Sequence, residues 1–163
     1  EWVDATVQRI VSLGPRRVLE IGCGTGLLLF RLAPACEKYV GPDFAAPALE
    51  AVRTELRRPD LPHVSLEQRE AHAFGGFEHE GFDTIILNSV VQYFPTVDYL
   101  RDVIDKAMQV LRPGGKIFLG DVRSLPLLGS FHTSVELAHA PDALSTTELR
   151  RRVSARHTRA VPG

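Results

Sequence analysis

The sequence predicts an α/β domain built on a doubly wound, mostly parallel sheet, and three observations predict it. Apolar runs of strand length (residues 18–21, 39–41, 64–66, 82–87 and 116–119) alternate with stretches whose apolar residues recur at helical spacing. The first run breaks into glycines at 22, 24 and 26 just before an apolar helical pattern, so a strand, a tight turn and a helix follow one another. An acid, Asp43, closes the second run 21 residues after Gly22, the spacing at which a βαβ unit brings a carboxylate to a ligand's ribose.

The 163 residues suffice for one sizeable core and are too few for two ordinary domains. A net charge of -1 gives no bulk attraction for nucleic acid or a membrane surface. Cys23 and Cys36 lack the spacing of a metal site and read as reduced thiols of a cytoplasmic protein, and no secretory signal or spanning segment is present. The chain begins at Glu1 already in a helical pattern, so the expectation is a single domain over residues 1–163, cut from a longer multidomain protein.

Val3, Val7, Ile10 and Val11 predict an amphipathic helix over 2–12 that stops at Gly14-Pro15. Val18, Leu19 and Ile21 form the first strand. Leu27 to Leu32 is the next helix, stopped by Ala33-Pro34, and Tyr39 to Gly41 is the second strand. Leu49, Val52 and Leu56 share one face of a helix over 45–58, which ends at Pro59-Asp60-Leu61-Pro62. Val64 and Leu66 mark a third strand, and residues 72–81 are a polar loop whose His72 and His79 read as loop histidines. Phe82 to Leu87 is a strong fourth strand. A helix through Leu100, Val103, Ile104, Ala107 and Leu111 follows, and Arg112-Pro113-Gly114-Gly115 turns the chain into a fifth strand, Lys116 to Leu119.

The glycine turn lets a ligand lie against the main chain, where a β-carbon would collide. The dinucleotide fingerprint G-x-G-x-x-G fits poorly, because position 27 is Leu27. Glu20, two residues before the first glycine, would repel a phosphate and suits an ammonium or sulfonium group. The pattern E-x-G-x-G-x-G over Glu20 to Gly26 resembles motif I of class I S-adenosylmethionine (SAM) dependent methyltransferases. F-D-x and an apolar triplet, a helix, then L-R-P-G-G-K resembles the same family further along. The wording L-N-S-V-V-Q-Y-F-P and P-G-G-K-I-F-L-G-D-V-R-S resembles the methyltransferase domains embedded in modular polyketide synthases and nonribosomal peptide synthetases.

The resemblance implies a Rossmann-like sheet of strand order 3-2-1-4-5, with SAM as cofactor and S-adenosylhomocysteine as product. It implies that Glu20, Gly22, Cys23 and Gly24 hold the methionine end, and that Asp43 and Phe44 hold the ribose and its surroundings. It places Glu70 and Ala71 at the adenine edge, with Glu70 accepting from the exocyclic amine. Asn88 and Ser89 line the methionine part, and Tyr93 walls the pocket. The family normally finishes with two further strands. Residues after 138 show no strand pattern, so the last two strands are expected to be missing, leaving the fifth as an open edge.

An alcohol acceptor needs a base, whereas an amine needs only to be neutral. His132 is the candidate base on the helix after strand five, with Glu136 one turn on along the same face; a solvated polar face is the competing reading of both. His139 shares that face, but methyl transfer needs no metal, and none is expected. Asp121 is an alternative base or a structural acid at the strand's end. Residues 88–91 read Asn-Ser-Val-Val and not Asn-Pro-Pro-Tyr, which argues against methylation of a nucleobase or amide nitrogen. Residues 145–155 predict a helix capped by Ser145, with Arg150, Arg151 and Arg152 on a solvated face. The expected function is methyl transfer to a hydroxyl oxygen of a polyketide or peptide intermediate tethered to an acyl or peptidyl carrier protein, among neighbouring megaenzyme domains. N-methylation within the same family and a non-catalytic module of the same fold are the alternatives.

Overall fold

The computed structural model describes residues 2–56, 61–141 and 143–160, without the side chains of residues 125 and 156–160. The elements are α1 (Trp2–Val11), β1 (Arg17–Ile21), α2 (Leu29–Leu32), β2 (Lys38–Asp43), α3 (Ala46–Glu55), β3 (Val64–Gln68), β4 (Phe82–Asn88), α4 (Val97–Val110), β5 (Leu111–Gly120), α5 (Leu128–His139) and α6 (Thr146–Ala160). The chain divides into two compact units, Glu1–Val122 and Arg123–Gly163.

In the first unit, five strands form one sheet in the order β3-β2-β1-β4-β5, and every pairing is parallel. The order follows from the sequence. β1 and β4 are buried at nearly every position and on both faces, which suits them to the middle, whereas β3 alternates toward solvent and takes an edge. Leu19, Ile21, Ile85 and Leu87 point to one face, where Val103 and Ala107 of α4 and the loop residues Phe74 and Phe77 cover them. Val18, Tyr39 and Ile86 point to the other, against Ile10 of α1, Leu29 and Leu32 of α2 and Val52 of α3. Each fully buried leucine or isoleucine in these layers contributes about 1.5–3 kcal/mol of transfer free energy.

Three boundaries differ from the sequence reading. The helix expected from Leu27 is a single turn, Leu29–Leu32, continued by a 3-10 turn over Ala33–Ala35. Gly26 sits at φ +81°, which takes the chain out of helical geometry, and Leu27 remains about half exposed. α4 begins at Val97, earlier than expected, because Thr96 caps it: its Oγ1 accepts from the Tyr99 amide at 3.1 Å. β5 is longer than Lys116 to Leu119, yet the expected turn lies within it. Phe82 faces Leu111 and Thr84 faces Lys116, so residues 112–115 bulge from the ladder, with Gly114 at φ +79°. The expected stop of α3 at Pro59-Asp60 lies outside the described residues.

The second unit is helical among the described residues. Leu128, His132 and Glu136 make up the buried side of α5. Ser145 accepts from the Glu148 amide at 3.3 Å, as a cap should. Glu148 takes two bonds from Arg151 (2.6 and 2.7 Å) and one from Arg152 (3.1 Å), which hold its carboxyl down at about 2, so part of the basic run is locally neutralised. Among the described residues, no helix is long and apolar enough to cross a membrane.

Candidate cofactor site

At the carboxyl end of β1 the glycine turn hangs from β2: the Gly22 and Cys23 amides donate to Pro42 O at 2.9 and 3.3 Å, and the Gly26 amide closes the turn on Cys23 O at 2.9 Å. The three glycines have different reasons. A β-carbon on Gly22 would stand 2.7 Å from Val90 Cγ2, and one on Gly26 would stand 2.7 Å from the Phe30 ring. One on Gly24 would meet nothing within 4 Å, so Gly24 is where the turn opens onto free space. All three have positive φ.

Asp43, at the end of β2, is buried and fastens this turn. Its Oδ2 accepts from the Gly24 amide and its Oδ1 from the Ala45 amide, both at 2.8 Å. An ionised carboxylate has about four acceptor sites, so two remain for ligand hydroxyls.

A cavity of about 310 Å³ opens beside Asp43, beyond the carboxyl ends of the strands. Ile21 and Gly22 wall it from β1, and Pro42, Asp43 and Phe44 from β2. Arg69, Glu70 and Ala71 come from the end of β3, while Val90, Tyr93, Phe94, Pro95 and Tyr99 come from the segment after β4. Phe44 and Tyr93 line the cavity while remaining 74% and 75% exposed, as two aromatic lips at its rim.

Of the residues expected from sequence, the cavity brings together Gly22, Asp43, Phe44, Glu70, Ala71 and Tyr93. Glu20, Cys23, Gly24, Asn88 and Ser89 are not in its wall. Glu20 turns into the sheet interior, where it accepts from Tyr39 Oη at 2.7 Å, and burial pushes its carboxyl up to about 8. Cys23 is buried with its Sγ 3.4 Å from Gly41 O. Asn88 donates to Ser89 Oγ at 3.1 Å, and Ser89 Oγ donates to Asp121 Oδ2 at 2.6 Å. Ser89 (φ 57°) and Asp121 (φ 53°) both hold left-handed backbone, an uncommon conformation for residues with a side chain. His132 and Glu136 lie in the second unit.

Sequence reasoning missed Arg69 and Tyr99. Arg69 donates to Ala73 O and Gly75 O, both at 3.0 Å, pairs with Glu67, and lies over the Phe77 ring at 4.2 Å. It therefore ties the loop after β3 into a fixed wall. No spacing rule would have found it, because what it ties down are main-chain oxygens of the loop. Tyr99 reaches the wall from the first turn of α4, and its signal was the Thr96 cap.

Residues 19–117 match the family model described as a methyltransferase domain. Over 153 residues the chain is 55% identical to the chondramide synthase of Chondromyces crocatus, covering 93% of this chain and 4% of that protein. Over 146 residues it is 45% identical to a probable non-canonical nonribosomal peptide synthetase, CymA, of Salinispora arenicola, covering 90% of this chain and 2% of that protein. The chain thus spans a small fraction of the length of these relatives. Among solved structures it resembles the N-methyltransferase NodS from Bradyrhizobium japonicum in complex with S-adenosyl-L-homocysteine, with 25% identity, a TM-score of 0.63, and coverage of 71% of this chain and 60% of NodS. A parallel 3-2-1-4-5 sheet with a glycine turn at β1, an acid at the end of β2 and a cavity between them, matched over residues 19–117, makes the chain a member of the SAM-dependent methyltransferase-domain family.

Proposed function

We propose that this chain is a methyltransferase core domain of a larger synthetase. It transfers the methyl group of SAM to an amine nitrogen of an aminoacyl or peptidyl intermediate tethered to a carrier protein. The observation that supports it is the cavity walled by Gly22, Asp43, Phe44 and Glu70, whose chemistry fits SAM. Asp43 keeps two acceptor sites for the ribose hydroxyls, Glu70 accepts from the exocyclic amine, and Phe44 and Tyr93 cover the adenine faces. Gly24 leaves space open over the turn, and Gly22 lets the main chain approach the ligand.

Bound there, SAM supplies a sulfonium methyl group open to in-line displacement. The chain's part is to hold it with the acceptor aligned and water kept out. The amine reading draws on the likeness to a peptide synthetase and to NodS, an N-methyltransferase. A neutral amine needs no base, only position. The hydroxyl acceptor expected from sequence is the second reading, in which His132 would take the proton of the alcohol.

The deciding experiment supplies methyl-tritiated SAM with an aminoacyl and a hydroxyacyl pantetheine thioester in parallel, on wild type and His132→Gln. The expected result is label in the amine, unchanged in kcat by His132→Gln. Label only in the hydroxyacyl thioester, abolished by His132→Gln, establishes the second reading. SAH binding in calorimetry with no transfer to either, even in the intact parent synthetase, establishes a non-catalytic module.

A further inference from the structure

The loop after β3 carries a histidine to which the sequence reading assigns no role. His72 does not line the cavity, yet its Nδ1 lies 2.9 Å from Tyr99 Oη and 3.3 Å from Glu70 Oε2, and both partners do line it. The His72 and Tyr99 rings meet edge to face at 5.2 Å and 74°.

His72 is itself held from two sides. Its carbonyl accepts from Lys106 Nζ at 3.2 Å, and Lys106 is fixed by Asp102 one turn back on α4 at 2.7 Å. Tyr99 is fixed by the Thr96 cap on its amide and by an edge contact with Phe94 at 5.0 Å. Glu70 is the loose member: its side chain is 68% exposed, and a long carboxylate left alone samples many rotamers. An ionised carboxylate only accepts, so the nitrogen that faces Glu70 carries the hydrogen, and Tyr99 Oη shares it.

We propose that His72 is a positioning residue of the cofactor site: backed by Tyr99 and anchored to α4, its Nδ1–H holds the Glu70 carboxylate at the cavity wall for the exocyclic amine of adenine. This rests on the reading of Glu70 given above. It also assigns a purpose to the juxtaposition of Glu70 and His72, two residues apart on the loop after β3, with Tyr99, which joins them only because the start of α4 opens onto the same cavity.

The test compares two ligands by calorimetry, S-adenosyl-L-homocysteine and S-inosyl-L-homocysteine, which differ in the exocyclic amine. It uses wild type, His72→Phe, His72→Gln and His72→Asn, with thermal melts to confirm folding. Wild type is expected to prefer the adenosyl ligand about tenfold, the worth of one hydrogen bond to a charged group. His72→Phe and His72→Gln bring that ratio to about one by weakening the adenosyl ligand alone. His72→Asn, whose amide nitrogen reaches the Nδ1 position, restores it. A ratio unchanged in His72→Phe and His72→Gln, or an equal loss for both ligands in all three variants, overturns the role of His72. If His72→Phe fails to fold, the contrast between Gln and Asn decides alone. A wild type that binds neither ligand overturns the cofactor reading itself, and the role of His72 with it.

Discussion

Tyr39 donates its hydroxyl to Glu20 Oε2 across 2.7 Å, and both side chains are shut off from water. Burial raises the Glu20 carboxyl from an ordinary 4.5 to about 8; the Tyr39 bond opposes the rise and the nearby Asp43 carboxylate adds to it. Between those two values the folded chain holds a proton that the unfolded chain has lost. The resulting stability is fully present below pH 4.5 and is lost as pH rises through about 8. Glu20→Gln keeps an acceptor for Tyr39 and has no proton to lose. Urea midpoints measured from about pH 5 to about pH 8.5 should fall in wild type and stay nearly level in the variant. Equal slopes in the two proteins would show that Glu20 titrates as an ordinary carboxyl.

Asp43 serves the fold and the ligand at once. Asp43→Ala leaves the Gly24 and Ala45 amides without their acceptor, at a cost of about 1–3 kcal/mol, and removes the groups proposed for the ribose. The expected outcome is a modest drop in melting temperature together with a loss of SAH affinity beyond tenfold. A calorimetric Kd within twofold of wild type would remove Asp43 from the cofactor site.

The glycine turn makes a prediction that separates packing from binding. Gly22→Ala meets Val90 Cγ2 at 2.7 Å at a positive φ, so it should destabilise by about 2–3 kcal/mol, and Val90→Ala in the same chain should recover part of that. Gly24→Ala meets nothing, so it should cost only about 1 kcal/mol of backbone strain while lowering cofactor affinity much more than stability. Thermal melts and calorimetry on the three variants check the contrast. Similar behaviour of Gly22→Ala and Gly24→Ala would sink it.

Gly120 has tight surroundings at the carboxyl end of β5. A β-carbon there would collide with Asn88 Oδ1, and Asn88 is its register partner on β4. Gly120→Ala should therefore push the Asn88 side chain aside and cost about 1–3 kcal/mol. Gly129→Ala, where nothing lies within 4 Å, is the control. Hydrogen exchange at the β4 and β5 amides should rise in the first variant and not in the second.

The sheet was legible because its signals are local. Five apolar runs, a glycine turn and an acid 21 residues later mark the strands and the ligand turn without knowledge of any long-range contact, and the strand order came from the family resemblance that those motifs carry. What failed to show was whatever depends on where a side chain points after folding. Glu20 reads from sequence as an anion beside the turn, but β1 is buried on both faces, and Glu20 shares with Val18 the face that packs against α1, α2 and α3, where desolvation favours the neutral acid. The extent of α2 was misread because an apolar run continues through Leu27 while Gly26 has already left helical geometry. His72 looked like one more polar loop residue; Glu70 stands two residues before it, but Tyr99 meets it only through the topology.

Cys23 sits in the turn that is proposed to lie against a sulfonium compound, and sulfonium methyl groups alkylate thiolates. Burial, with the Glu20 and Asp43 carboxylates nearby, pushes the Cys23 thiol up to about 12, and Gly41 leaves just enough room for its sulfur, a β-carbon there standing 3.1 Å from Sγ. At pH 7 the nucleophilic thiolate is therefore scarce. The turn can thus face a reactive alkyl donor without being consumed by it, because its thiol is buried against Gly41 and stays protonated.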